Sequence, residues 1–136
     1  MDYFHLSATP NQIAALSSLG LAHLGDGVYE LMVRSYLCLS GRSTNKGLHK
    51  AAVGYVSAPA QAAAVKVILP MLREHEAEVF RRGRNASPHT IPVHAKREDY
   101  AAATALETLF GWLWLQGETD RLNELFEAIM EDTQWP

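Results

Sequence analysis

The chain has 136 residues, the usual length of one domain, and its 48% hydrophobic and 20% charged residues indicate a globular rather than a disordered protein. We therefore expect a single domain over 1–136. The lone Cys38 excludes an internal disulfide and a cysteine-based zinc knuckle. Because cysteine use indicates a reducing compartment, and because no charged and then apolar leader follows Met1, we expect a cytoplasmic protein.

The formal net charge of −3 conceals a strong segregation of charge along the chain. Residues 31–97 carry eleven basic and three acidic side chains, whereas residues 98–136 carry nine acidic and one basic. A basic middle section can present a local anion-binding face despite the acidic average. The alternative is an ordinary solvated surface of mixed charge, and charge alone does not separate the two.

Apolar periodicity without an alternating strand pattern predicts an all-α bundle of about six or seven helices. The longest helix is predicted over 17–39, and it should be largely buried because its apolar residues fall on more than one stripe. Pro70 should break or kink the chain, and the composition of 83–93 predicts the longest loop. The other helices are predicted over 45–56 with Thr44 as cap, from 57 to about 67, over 71–82, over 99–116 and over 118–132.

Asp26 is an unusual residue for the interior of the long helix. An ionised carboxylate in apolar surroundings is costly unless a positive partner meets it, and no Lys or Arg lies three or four residues away. The flanking Gly25 and Gly27 are poor helix formers that leave room for a ligand or another backbone. Glu30 is a weaker candidate, since Arg34 is an ordinary i+4 partner. Asp26 is interpreted either as a functional carboxylate or as a structural one that accepts amides from a neighbouring helix N terminus.

Glu107 raises the same question in a second apolar helix, where it is the only charge between Ala101 and Leu115. That run is too short to cross a bilayer, so we expect a core helix and no membrane partner. Thr104, Glu107 and Gly111 share one helical face. Two carboxylates on apolar helices, each bordered by small residues, would form a hard oxygen site suited to Mg²⁺, with Mn²⁺ as the alternative.

Three blocks of the chain resemble the bacterial Mini-ribonuclease III proteins. They are Leu24-Gly-Asp-Gly-Val-Tyr-Glu30, Arg81-Arg-Gly-Arg-Asn-Ala86, and Tyr100 through Thr104, Glu107, Gly111 and Leu115; Val56-Ser-Ala-Pro-Ala-Gln61 fits the same pattern. The likeness runs from about Leu16 to Leu125, and three blocks in one order are more specific than any one alone. The resemblance implies an all-α ribonuclease III catalytic domain that acts as a homodimer without an appended double-stranded-RNA-binding domain.

The resemblance also implies an activity, which is Mg²⁺-dependent cleavage of double-stranded RNA during maturation of precursor 23S ribosomal RNA ends. Asp26 and Glu107 would be the catalytic residues and the metal ligands, with waters and an RNA phosphate completing the coordination. A ribosomal protein could assist. One rival interpretation is a catalytically inactive RNA-binding module of this fold, and another is a helical protein-interaction domain that uses no RNA.

Under this interpretation the basic middle section binds RNA. Guanidinium forks and side-chain amides suit phosphates and 2′-hydroxyls, and the main candidates for such contacts are Arg81, Arg82, Arg84 and Asn85. Weaker candidates for backbone contacts are Lys46, His49 and Lys50. The alternative for both sets is a solvated helix surface.

Three positions depart from related patterns. Larger ribonuclease III enzymes pair the first motif's aspartate with a glutamate one turn earlier and the second motif's glutamate with an aspartate three residues earlier. Here those places hold Ala22 and Thr104. The same reduced set is typical of the Mini subgroup, and it leaves fewer fixed metal ligands. His23 stands where the resemblance leads us to expect an aromatic residue near the dimer contact.

Overall fold

The computed structural model describes residues 1–40, 44–86 and 96–132, and over these ranges the chain is helical without strands. Seven α-helices and one 3₁₀ helix follow one another in this part of the chain. They are α1 (Pro10–Ala14), α2 (Ser18–Leu39), α3 (Asn45–Val56), α4 (Ala58–Ile68), the 3₁₀ helix Leu69–Met71, α5 (Glu74–Asn85), α6 (Arg97–Leu115) and α7 (Thr119–Glu131). The predicted all-α class is confirmed.

Helix α6 is the centre of the bundle, and α2, α4 and α5 pack around it. Its side chains Leu106, Leu109 and Phe110 are fully buried, as the predicted core helix requires. Tyr29 of α2 packs edge-on against Phe110, with ring centroids 5.3 Å apart. Each such apolar side chain contributes roughly 1.5–3 kcal/mol on burial, so the buried face of α6 stabilises the bundle substantially.

Local capping signals explain several helix ends. Ser17 begins α2 and Thr44 begins α3, each by accepting a backbone N–H, at 2.9 Å and 3.0 Å. Gly117 separates α6 from α7 with a φ of +75°, a conformation that favours glycine. The predicted α2, α3 and the division between the last two helices are confirmed.

Helix α5 is shifted relative to its predicted range of 71–82. Leu72 and Arg73 are extended, and the Arg73 N–H donates to the Glu76 carboxylate at 2.9 Å, which delays the start to Glu74. The helix then continues to Asn85, beyond the expected end. Gly83 explains the continuation, since it packs so closely on α6 that an added Cβ would overlap the Thr108 side chain.

Helix α1 has no counterpart in the sequence prediction. Thr9 accepts a hydrogen bond from the Gln12 N–H at 3.2 Å, and the Gln12 side chain accepts one from the Thr9 N–H at 2.8 Å. This reciprocal cap starts the helix, Pro10 suits its first position, and buried Ile13 anchors it.

Hydropathy along the helices gives one further observation. Within the ranges that the structure describes, no single helix is long and apolar enough to cross a bilayer. The pair Asn45–Val56 and Ala58–Met71, bent by 54°, meets the length and composition test only when both halves are taken together.

Candidate active site

Asp26 and Glu107 meet where α2 crosses α6. The crossing is close because glycines line it: a Cβ on Gly25 would overlap the Glu107 carbonyl, and a Cβ on Gly111 would overlap the Leu21 carbonyl. The close approach of the two helices brings the side chains of Asp26 and Glu107 together, and they share a hydrogen bond. The two lone carboxylates of the sequence therefore form a pair, and the approach of the α6 backbone explains Gly25.

The Glu107 carboxyl has a strongly perturbed protonation equilibrium. Burial raises its pKa most, the negative charge of Asp26 and the shared hydrogen bond raise it further, and the net value is about 8. Glu30 adds a smaller repulsion. Over the described ranges, neither Asp26 nor Glu107 forms an ion pair with a basic side chain. Near neutral pH the Glu107 carboxyl group therefore retains its proton.

The surroundings of Asp26 correct the expectation that this carboxylate is enclosed by apolar groups. Its side chain is exposed to solvent. The neighbouring Gly27 faces open space, since a Cβ built there would meet nothing within 4 Å. Only Glu107 of the pair is partly buried. The pair is therefore accessible from solvent on the Asp26 side.

Two further polar side chains lie near Glu107. Gln61 of α4 is only 2% exposed, and it donates a hydrogen bond that lowers the Glu107 pKa. Glu30 lies one turn beyond Asp26 and pairs with Arg34 at 2.8 Å, the partner predicted by spacing. Sequence reasoning missed Gln61. The available signal was a single amide in the otherwise apolar first turns of α4.

The side chains at the crossing of α2 and α6 offer only a small number of oxygen ligands to a metal ion. In the part of the chain that the structure describes, no three His, Cys, Asp or Glu side chains come together as a metal site. Ala22 is buried, and the Thr104 hydroxyl donates to the Tyr100 carbonyl at 3.0 Å. Neither departure position therefore adds a ligand to the carboxylate pair.

The basic candidates of α5 lie at the end of that helix. The structure places Arg84 and Asn85 in its last turn, which corrects their predicted position in the loop. Arg82 pairs with Glu78 at 2.8 Å, one turn earlier on the same exposed surface. All four candidates at this end of α5 have exposed side chains: Arg81, Arg82, Arg84 and Asn85.

The weaker basic candidates form a second exposed set on α3, Lys46, His49 and Lys50. His49 also lines a cavity of about 250 Å³ between α2 and α3, together with Arg34 and Leu37. Within the described residues, no ion pair joins either basic set to Asp26 or Glu107. The two basic sets and the carboxylate pair are therefore not joined by ion pairs among the described residues.

The family model of the ribonuclease III domain matches residues 19–118. This range includes the positions of Asp26 and Glu107. The chain belongs to the ribonuclease III family. Among its ribonuclease III relatives is a Mini-ribonuclease 3 of Symbiobacterium thermophilum, 45% identical over 116 residues, or 85% of this chain and 89% of the relative. A Mini-ribonuclease 3 of Brevibacillus brevis is 43% identical over 134 residues, or 96% and 98% of the two chains. These relatives confirm the resemblance and support an endoribonuclease of ribonuclease III type.

A solved structure agrees with this ribonuclease III assignment. The crystal structure of a protein from Fusobacterium nucleatum superposes with a TM-score of 0.80 at 28% sequence identity. The superposition covers 88% of this chain and 95% of that one. The similarity therefore extends through nearly the whole helical bundle, and the predicted fold is confirmed.

Proposed function

We propose that this ribonuclease III protein cleaves double-stranded RNA with the help of a divalent cation, and that Asp26 and Glu107 are its catalytic residues and metal ligands. The observation that carries the proposal is the pairing of these two acids on crossing helices. They share a hydrogen bond, and no basic side chain among the described residues pairs with either. Such perturbed carboxyl groups are concentrated at functional sites, where a ligand provides the charge that the fold does not.

The residues at the crossing fit Mg²⁺, with Mn²⁺ as the alternative. Both are hard cations that prefer oxygen ligands, and the raised pKa of Glu107 indicates that positive charge is favoured beside the two carboxyl groups. Mg²⁺ often binds through one or two carboxylates and completes its coordination with waters and phosphates, which suits a site flanked by Ala22 and Thr104. When bound, the ion would lower the pKa of an attacking water and neutralise charge on the phosphodiester.

The two carboxylates have different tasks in this mechanism. Glu107 must release its proton before both groups can act as charged ligands. Asp26 is exposed, so it lies on the side from which a duplex can approach, whereas the partly buried Glu107 is held within the bundle. Water would then attack the phosphorus in line with the departing sugar oxygen, so that a new P–O bond forms as the P–O bond to that oxygen breaks. The proton lost by the water passes through solvent, and the departing oxygen leaves as a hydroxyl.

We propose that the exposed basic sets bind the duplex backbone. Their guanidinium and ammonium groups suit phosphates, and each neutralised phosphate makes binding more sensitive to salt. The α5 set is the main candidate because three exposed arginines lie close together at the end of that helix. The two sets are Arg81, Arg82, Arg84 and Asn85 on α5, and Lys46, His49 and Lys50 on α3.

We also propose a two-fold homodimer formed through the outer face of α2. Leu31 is 51% exposed, and with Leu24, Met32 and Trp114 it lines an apolar cavity of about 240 Å³. Cutting both strands requires two chains, because one chain supplies one carboxylate pair and duplex strands are related by local dyads. Exposed His23 precedes Leu24 on this helix. Light scattering that shows a monomer while both strands are cut would contradict the dimer.

The resemblance to Mini-ribonuclease III proteins supports precursor 23S ribosomal RNA as the cellular substrate. A cytoplasmic location, the absence of a membrane partner and assistance by a ribosomal protein stay predictions. Comparing the ends of large-subunit ribosomal RNA in cells with and without the protein tests the substrate. Unchanged ends would remove this assignment and leave the carboxylate chemistry to be tested separately.

One experiment separates the three functional classes. Purified protein is incubated with a long RNA duplex in Mg²⁺, in Mn²⁺ and in a chelator, with a DNA duplex of equal length as control. Cleavage of RNA that requires the metal supports the proposal. Retention of the duplex without cleavage would instead support the inactive RNA-binding module, which the reduced ligand set favours as second candidate. Neither binding nor cleavage would support a protein-interaction domain.

A further inference from the structure

Gln61 is a buried polar residue in an apolar segment. Its surroundings in α4 are alanines and β-branched residues, and its own exposed fraction is 2%. An amide transferred from water to such a place is costly unless it is hydrogen-bonded. The position is therefore one where the fold would accept an apolar side chain more readily than glutamine.

The hydrogen-bond partner of this amide is the Glu107 carboxyl group. The negative charges of Asp26 and Glu30 raise the pKa of Glu107 and so disfavour its charged form. The hydrogen bond from Gln61 lowers this pKa and favours the charged form. A glutamine amide does not ionise, so it supplies a donor to the carboxylate without replacing a cation as its counter-charge. An arginine at this place would neutralise the carboxylate and compete with a metal ion.

The backbone of Gln61 is well placed to hold this contact. Its N–H donates to the Ser57 carbonyl at 2.9 Å, which fixes it in the first turn of α4. Helix α4 packs directly on α6, and Pro59 precedes Gln61 in the same turn. The amide is therefore presented to Glu107 from a helix that is itself anchored in the core.

We propose that Gln61 is a positioning residue that holds the Glu107 carboxylate in the orientation needed for a divalent cation, a role that rests on the proposed function of the carboxylate pair. A glutamate side chain has several rotatable bonds, and binding a cation requires one orientation of its oxygens. A hydrogen bond from the buried Gln61 amide would restrict this rotation, so that the Glu107 carboxylate would already be ordered when the ion binds. Groups that orient metal ligands in this way typically alter metal affinity or activity by about 10–100-fold when removed.

Gln61→Met tests this role because methionine has a similar length but lacks the amide donor. Mn²⁺ binding is measured by electron paramagnetic resonance without RNA, and single-turnover cleavage is measured across a Mg²⁺ titration at saturating duplex. We expect Mn²⁺ binding to weaken by about 10–100-fold and the Mg²⁺ requirement to rise similarly, with cleavage partly restored at high Mg²⁺. Duplex affinity in the absence of metal should stay unchanged.

Thr108→Val is the matched control. The buried Thr108 hydroxyl lies on the same helix α6, and it donates to the Thr104 carbonyl at 2.7 Å and to the Ser18 carbonyl at 3.2 Å. This variant should lose some thermal stability and keep the wild-type response to metal. If Gln61→Met is incompletely folded by circular dichroism, Gln61→Ala repeats the measurement, since it adds no apolar bulk against Glu107.

The outcomes separate the two proposals. Wild-type cleavage together with an unaltered metal response in a folded Gln61 variant would overturn the positioning role and leave the proposed function intact. A wild-type protein that neither binds Mn²⁺ nor cleaves the duplex would overturn both. Weakened metal binding in the Gln61 variant but not in Thr108→Val supports the positioning role.

Discussion

Glu76 and Glu107 are both sheltered carboxyl groups in this bundle, and their surroundings have opposite effects. Burial raises the Glu76 pKa, but hydrogen bonds from the Arg121 side chain and the Arg73 N–H outweigh burial and lower it. Arg121 donates to the two Glu76 oxygens at 2.9 Å and 2.8 Å. At Glu107, burial and the neighbouring Asp26 act together, and the pKa rises to about 8.

The difference separates a structural carboxylate from one that is available to a ligand. Arg121 also bonds Glu124 and donates to the Met71 carbonyl at 2.7 Å, so it ties α7 to α5 and to the 3₁₀ helix. The charge and the N–H donors of Arg121 are therefore occupied by contacts within the protein. The Asp26–Glu107 pair keeps a proton where another protein group could have supplied a cation, and it is reached from solvent through Asp26.

The largest expected effect is on catalysis at the carboxylate pair. Asp26→Asn and Glu107→Gln should each reduce single-turnover cleavage at saturating RNA and Mg²⁺ by at least about 100-fold, the usual effect of losing one strong electrostatic contact in a transition state. Duplex binding should change little. Glu107→Gln should not lower the melting temperature near neutral pH, because the glutamine amide can donate to Asp26 as the protonated Glu107 carboxyl does.

Glu127→Gln provides the control for loss of one negative charge, since Glu127 is exposed on α7 away from the crossing. It should cleave at the wild-type rate. Unchanged turnover in Asp26→Asn or Glu107→Gln would remove that residue from the catalytic assignment, and a sharp fall in melting temperature would indicate a structural carboxylate instead.

Arg121→Met should have its main effect on folding. It leaves Glu76 buried without its partner, and removing one member of a buried pair typically costs about 3–5 kcal/mol. Urea unfolding at pH 7 measures the change, and cleavage per folded molecule should stay near wild type. A loss below about 1 kcal/mol would mean that water or Arg73 compensates Glu76, and the contrast between the two carboxylates would be weaker than the structure indicates.

The exposed arginines should affect RNA binding rather than folding. Replacing Arg81, Arg82 and Arg84 by alanine should make the slope of log affinity against log salt shallower by roughly two to three units, using a duplex coefficient of about 0.9 per phosphate contact. The Arg82–Glu78 pair is exposed, so its loss should cost less than about 1 kcal/mol of stability. Cleavage at saturating RNA should fall less than cleavage at low RNA.

An unaltered salt slope would identify the arginines as a solvated helix end. A collapse of turnover at saturation without a change of slope would place one of them at the scissile phosphate. Either result would revise the assignment of the α5 set and leave the carboxylate pair untouched.

The last expected effect concerns stability alone and is its pH dependence in metal-free protein. Because the Glu107 pKa of about 8 in the folded protein lies above the ordinary value of 4.5, its contribution to stability is complete below about pH 4.5 and is lost as pH rises to about 8. Glu76 acts in the opposite direction, since its lowered pKa gives stability that is lost on acidification. Urea unfolding in chelator at several pH values measures both.

Glu107→Gln should flatten the decline in stability between about pH 4.5 and 8, and Mg²⁺ should reduce it in the wild-type protein by favouring the charged pair. Equal slopes in wild type and Glu107→Gln over this range would show that Glu107 does not titrate there.

Local features of the sequence determined the helices and the identity of the paired acids. Serine and threonine caps, a glycine between α6 and α7, and apolar periodicity act within a few residues, so they are visible along the chain. Asp26 and Glu107 were also identifiable, because a lone charge in an apolar helix has no local partner. The start of α5 was not identifiable in this way, because Glu76 bonds the preceding backbone and Gly83 packs on α6.

Only the tertiary structure decided which of the lone polar groups meet and how much water reaches them. The close crossing at Gly25 and Gly111 joins Asp26 to Glu107, leaves Asp26 exposed and buries Glu107 in part. Packing of α4 on α6 brings Gln61 to the same carboxyl group. These distances and exposures depend on packing between segments far apart in sequence, and helical periodicity sets the face of a residue without setting its partner on another helix.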